Sequence, residues 1–255
     1  MKYRYFTSGI AAAVIVSIIT IVSSCSFFMR NDLPTKNYYI LNYQPVIAIP
    51  PGSLRPYPYT LQVGEFKIQA IFNRQNIVYR FSPHQIQYYE LEQWAVRPDQ
   101  MVTNLVFGHL EATGLTNRVG IDFFDIRPDF RIEGMVEAIE KYDSGDVFYA
   151  HLAMSMKLLK TSDGTQIWER SFDQRRQVYH PEMIYTVQSL SSIFQSEMRI
   201  VVGQLDSLFL AMSTGKTLRR IPVEAAPEKP VKADSTDVKI DESGFEIIID
   251  KPKSE

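Results

Sequence analysis

The sequence has one cysteine in 255 residues, Cys25, only two tryptophans, and no excess of positive charge. A single thiol excludes an intramolecular disulfide and a cysteine-rich metal site. With 27 basic against 29 acidic groups the formal charge is −2, which excludes the dense phosphate contacts of sequence-independent nucleic-acid binding. No apolar run reaches the roughly 20 residues of a membrane-spanning helix. The longest, Gly9 to Val22, is about 14 residues and is broken by Ser17 and Thr20. Also missing are a GxSxG elbow, a P-loop and a dinucleotide glycine fingerprint. The four histidines, His84, His109, His151 and His180, are scattered without metal-ligand spacing. What is present is an ordinary globular balance: 45% hydrophobic, 22% charged and 12% aromatic residues, enough for one buried core.

The N-terminus carries an address. Lys2 and Arg4 precede the apolar run, whose length suits a secretory signal. Val22-Ser23-Ser24-Cys25 follows and resembles the lipobox of bacterial lipoproteins. That resemblance implies cleavage after Ser24, a diacylglycerol on the Cys25 sulfur and an acyl chain on its new amine. Each buried CH₂ contributes about 0.8 kcal/mol, and two or more chains make an anchor stable. Ser26, where some sorting rules read Asp, points to outer-membrane retention. Removing Lys2 and Arg4 leaves 25 basic and 29 acidic groups, a charge of −4, so the lipid rather than charge does the anchoring.

The expected organisation is a signal peptide over 1–24, a lipidated tether over 25–36, one folded domain over 37–212 and a disordered tail over 213–255. Within the domain, strands are expected at 37–43, 59–63, 76–81, 85–91 and 119–124, separated by a proline-rich loop over 44–58. Arg97-Pro98-Asp99 opens a helix with an apolar face from Met101 to Leu110, closed by Gly114. Residues 130–141, 148–158 and 167–178 alternate as an antiparallel meander, with Asp163-Gly164 as a turn. A long helix after Pro181 sets Ile184, Val187, Leu190, Phe194, Met198 and Leu205 on one face. The fold class is therefore α/β (α+β): one mixed sheet with packed helices, including a long C-terminal one. The tail is too charged and proline-rich to bury a core, although Phe245 to Ile249 is a short β-prone segment that could add to a partner's sheet edge.

Nothing here assembles a catalytic site. Asp122/Asp125 and Asp143/Asp146 flank turns, where Asp commonly bonds local backbone. His151 has the outward parity of its strand, which predicts a solvated or partner-facing ring. No metal site and no cofactor are expected beyond the lipid on Cys25. Aromatics are the remaining signal: tyrosines crowd residues 38–89. Adjacent tyrosines on a strand face opposite ways, so one of Tyr88 and Tyr89 faces solvent, a partner, or a covering loop. Tyr88, Tyr89 and nearby Trp94 are the candidate docking surface, because aromatics carry much interface energy.

The order of Cys25, Tyr38-Tyr39-Ile40-Leu41, Ile77-Val78-Tyr79-Arg80, Ile86-Gln87-Tyr88-Tyr89, then Trp94-Ala95, Pro98 and Met101 resembles the ABC-type transport auxiliary lipoprotein components of paraquat-inducible (Pqi-type) and other MCE operons. The proline-rich 44–58 segment and the charged tail depart from the family pattern. The resemblance implies a non-enzymatic periplasmic subunit, lipid-anchored in the outer membrane, that docks an MCE-domain protein and an ABC permease/ATPase complex moving phospholipids between the membranes. A homo-oligomer would suit that role. The alternative is a lipoprotein that assists assembly of an outer-membrane machine or activates a cell-wall synthase.

Overall fold

A computed structural model describes residues 34–47, 49–145 and 147–215, with the short segments 239–240 and 246–247. The signal peptide, Cys25 and most of the tether therefore lie outside the described residues, as does the tail apart from those two segments. The chain divides into two compact units at Thr217/Leu218.

In the first unit everything is organised on one strand. Residues Phe130–Ser144 form β7, and its whole length pairs antiparallel with β8 (Val147–Lys160), which pairs in turn with β9 (Gln166–Val178). The opposite flank of β7 is too long for any one neighbour. Three short strands share it in succession, all parallel: β2 (Tyr57–Val63) beside residues 130–132, β3 (Lys67–Ile68) beside 135–136, and β4 (Asn76–Ser82) beside 140–142. The sheet branches from there. Strand β6 (Thr116–Gly120) extends β2, while β5 (Gln85–Trp94) and then β1 (Asn37–Tyr39) extend β4. A shift of register between Val136 and Ala138 marks a bulge in β7, a device that bends a long strand and helps a sheet curl. Gly134 is required nearby, because a Cβ there would come within 2.6 Å of the Phe66 ring.

Two helices cover one face. Helix α1 (Pro98–Ala112) begins on a proline, whose missing N–H is unpaired at that position anyway, and ends before Gly114 with φ +56°. Helix α2 (Met183–Ser213) has 31 residues, about 46 Å at 1.5 Å per residue. It packs Val187, Leu190, Phe194, Met198, Val201 and Leu205 into the core against β8 and β9. The matching sheet layer is Ala150, Leu152, Met154, Met156 and Leu158, every second residue of β8. This is the expected mixed α+β architecture with a long last helix.

Three expectations need correction. The strand expected at 119–124 is β6, earlier and shorter; it follows β2 in parallel only as far as Gly120, and Phe124 is left 96% exposed in the following loop. Ile184 has the helical period of the core but stands in the first turn of α2 and is exposed, on the wall of an open groove it shares with Ile40 and Tyr43. His151 does point away from the helices, yet it is buried, because β4 and β9 close over it with charged side chains. In the second unit, Lys239–Ile240 (β10) pairs antiparallel with Glu246–Ile247 (β11). Two residues of the β-prone 245–249 segment thus pair within this chain.

Candidate docking surface

The β4–β5 hairpin displays a cluster of partly exposed aromatics. On one face the Tyr79 ring lies 4.3 Å from Tyr89 and 5.2 Å, edge-on, from Phe81, which is 43% exposed. On the other face the Arg74 guanidinium sits 3.8 Å above the Tyr88 ring, a cation–π contact. Tyr88 and Tyr89 are therefore both half-buried, and each has a partner within the chain. Burial above all, with Tyr79, Asp143 and Glu92 nearby, pushes the Tyr89 phenol up to about 12.

Trp94 does not belong to this surface. Strand β5 runs three residues past the expected end at Leu91, and Trp94 closes it with 1% exposure, its backbone amide donating to the Gln75 backbone carbonyl at 2.6 Å. A ring enclosed in the core cannot meet a partner. The physical reason is register: β1 pairs parallel with Glu92, Gln93 and Trp94 and covers that end of the strand.

On the same sheet face as Tyr88 lies a charged network. Arg80 Nε donates to both Glu140 carboxylate oxygens at 3.0 Å. The two ring nitrogens of His151 face Glu140 Oε1 at 3.0 Å and Asp173 Oδ1 at 2.9 Å. Burial alone would raise the Glu140 carboxyl, but the hydrogen bonds and charges of His151 and Arg80 outweigh it and hold the carboxyl below its ordinary value. On the helix side, Lys141 donates to the Pro181 carbonyl at 2.6 Å and lies 4.3 Å from the Phe148 ring centre, and burial lowers its pKa. His109 on α1 meets the Tyr43 hydroxyl at 2.9 Å, and burial lowers it to about 4, so the ring is neutral at ordinary pH.

Two hollows complete the surface. A polar recess of about 530 Å³ lies between β2 and α1, bordered by Gln62, Glu65, Gln100, Asn104, Asp122 and Arg131. A groove of about 320 Å³, with Ile40, Tyr43, Ile184 and Val187 on its walls, separates residues 40–43 from α2. Among the described residues no group of three or more His, Cys, Asp or Glu side chains is placed to hold a metal ion, and no helix is long and apolar enough to cross a membrane.

Fold and surface define a class: an α+β domain whose β4–β5 hairpin presents half-buried aromatics. The chain belongs to the ABC-type transport auxiliary lipoprotein component family, whose model matches residues 39–201. That span runs from the end of β1 into α2 and includes the whole aromatic hairpin. The crystal structure of a Xanthomonas campestris protein of the DUF330 type is similar, with a TM-score of 0.60 at 19% identity, covering 71% of this chain and all of that one. A second crystal structure, of an uncharacterised protein, matches with a TM-score of 0.54 at 17% identity over 67% of this chain and 99% of that one. At such identities the likeness is one of fold. No curated protein matches the chain. The family is an auxiliary rather than a catalytic one, linked by its description to ABC transport and to a lipoprotein anchor.

Proposed function

We propose that this chain is a periplasmic accessory subunit, anchored in the outer membrane through a diacylglycerol and an N-acyl chain on Cys25, of an MCE/ABC-type system that moves phospholipids between inner and outer membranes. The observation that carries the reading is the family match across residues 39–201, taken with the signal-like N-terminus that ends at the chain's only cysteine. The contribution of the domain is mechanical. The tether holds it at the membrane, and the β4–β5 hairpin docks an MCE-domain protein through Tyr88 on one face and Tyr89, supported by Tyr79 and Phe81, on the other. Half-buried aromatics suit that task, since their rings are already fixed by neighbours and lose little freedom on binding.

The test is purification of the full chain from crosslinked membranes, with mass spectrometry of the proteins recovered. Recovery of an MCE-domain protein together with an ABC permease and ATPase is the expected result. Recovery of a barrel-assembly component or a cell-wall synthase instead would overturn the transport reading in favour of the alternative accessory role.

A further inference from the structure

The loop joining β1 to β2 has a composition found nowhere else in the domain. From Asn37 to Leu54 there is no charged residue and no histidine. Within that stretch Val46, Ile47, Ile49 and Leu54 are 49%, 57%, 62% and 56% exposed. Scattered exposed aliphatics are ordinary on a protein surface, but four within nine residues make an apolar ridge along the loop. The ridge is held rather than loose. Gln195 Nε2 donates to the Gln44 carbonyl at 2.7 Å, and Asn42 N donates to Ser191 Oγ at 3.2 Å. At the far end, Ser53 Oγ and Arg55 Nε both donate to Asp206 Oδ1, at 2.8 and 2.7 Å. The loop is thus strapped along α2 from Ser191 to Asp206, with Val46, Ile47, Ile49 and Leu54 left outward.

We propose that this ridge, Val46, Ile47, Ile49 and Leu54, seats in the interfacial layer of a lipid bilayer. It rests on the Cys25 anchor only for the bilayer's being within reach. From Cys25 to Asn37 is 12 residues, at most about 43 Å of chain, so the loop lies well inside the radius the tether allows. The absence of charge over 18 residues is what lipid contact demands, because a charge carried out of water costs far more than an aliphatic gains. Prolines 45, 50, 51 and 56 lack an N–H, so the loop has fewer backbone donors to desolvate, and their fixed φ lowers the ordering cost of insertion. The remaining carbonyls and amides keep it at the interface rather than in the hydrocarbon. The contact also has a mechanical use. A single lipid tether holds the domain near the membrane but leaves it free to turn. A second, apolar contact fixes which face looks towards the periplasm. The acidic surface, at −4 without Lys2 and Arg4, gives no electrostatic orientation to an anionic membrane.

The chain's cysteine content makes the test direct. Mature protein is reconstituted in vesicles of phosphatidylethanolamine and phosphatidylglycerol after its mass has been measured. A lipidated Cys25 has no free thiol, so Ile47→Cys, Ile49→Cys and Ser171→Cys each add one site for an environment-sensitive dye. Ser171 is an exposed β9 residue on the sheet face turned away from α2, since its neighbour Phe172 is buried against the helices. Blue-shifted emission and several-fold stronger quenching by brominated lipid at 47 and 49 than at 171 is the expected result, and Ile47→Asp should relieve the quenching at 49. Equal, water-like emission at all three sites overturns the proposal, as does a shift at 47 and 49 that needs an added partner protein. A mass without acyl chains removes the anchor alone. The dyes are then attached in a Cys25→Ser background and the chain is mixed with the same vesicles, where dry labels at 47 and 49 uphold the loop contact and wet ones end it.

Discussion

The β7–β9 meander and the β4–β5 hairpin are built from similar strands and solve different problems. In the meander, alternate residues of β8 are enclosed against α2, and Phe194 on that helix is 1% exposed. In the hairpin the aromatics stop half-way: Tyr79, Tyr88 and Tyr89 touch one another or an arginine and keep an edge in solvent. The first arrangement maximises area removed from water, and the second holds rings in place without using up their surface. The difference teaches where stability and recognition are separated in this fold.

The largest effect should come from the meander's core. Phe194→Ala removes a ring packed against the sheet and within 5.8 Å of Tyr43, and should cost about 3–5 kcal/mol of stability, read by chemical denaturation. A loss of under about 1 kcal/mol would place this contact outside the stabilising core and would break the comparison at its first term.

Next is the charged network of Arg80, Glu140 and His151. Glu140→Ala leaves Arg80 and His151 facing a void within a closed site, and should destabilise by about 3 kcal/mol, the lower range for breaking a buried pair. Acid should act on related groups. The His109 ring has its pKa lowered from 6.5 to about 4 by burial, so the unfolded chain takes up a proton that the folded chain refuses. Its contribution is whole above pH 6.5 and is lost as pH falls towards 4, up to about 3 kcal/mol in all. Glu140, held below its ordinary value, contributes stability that is present above about pH 4.5 and lost on further acidification. Denaturation midpoints measured across pH 4 to 7 should decline with acid, and His109→Gln should flatten the decline above pH 4.5 whatever it does to the midpoint at pH 7.

Much of the framework is legible in the sequence, for local reasons. Alternation from 130 to 178 and the 3.6-residue period after Pro181 are properties of consecutive residues, and they fix strand, turn and helix before any contact is known. What was not legible is set by partners distant in the chain. The parity of His151 correctly placed it on the face away from α2. That this face is closed depends on Arg80 from β4 and Asp173 from β9, which no neighbour in sequence announces. Trp94 was misassigned because the end of β5 is fixed by pairing with β1, some 55 residues earlier, and not by a local stop signal. The exposed ridge of the β1–β2 loop was readable as a proline-rich segment, but its strapping to α2 spans about 150 residues of sequence. Aromatic crowding marked the hairpin. Which rings stay half-open needed the structure.

The smallest expected loss of stability is the one that sharpens the contrast most. Tyr88→Ala gives up the Arg74 cation–π contact and part of one half-buried ring, which at a partly solvated site costs about 0.5–1 kcal/mol. The same truncation at the centre of a docking surface should weaken partner binding by tenfold or more, about 1.4 kcal/mol or above. The two measurements together separate the regions: denaturation should barely distinguish Tyr88→Ala from the parent chain, while retention of the transport partner should fall sharply. The inverse pattern, a melted domain with no specific binding loss in what remains folded, would make the hairpin a second piece of framework. A variant unchanged in both would leave the ring without a docking role and move the search to the opposite face, where Tyr79, Phe81 and Tyr89 stand together.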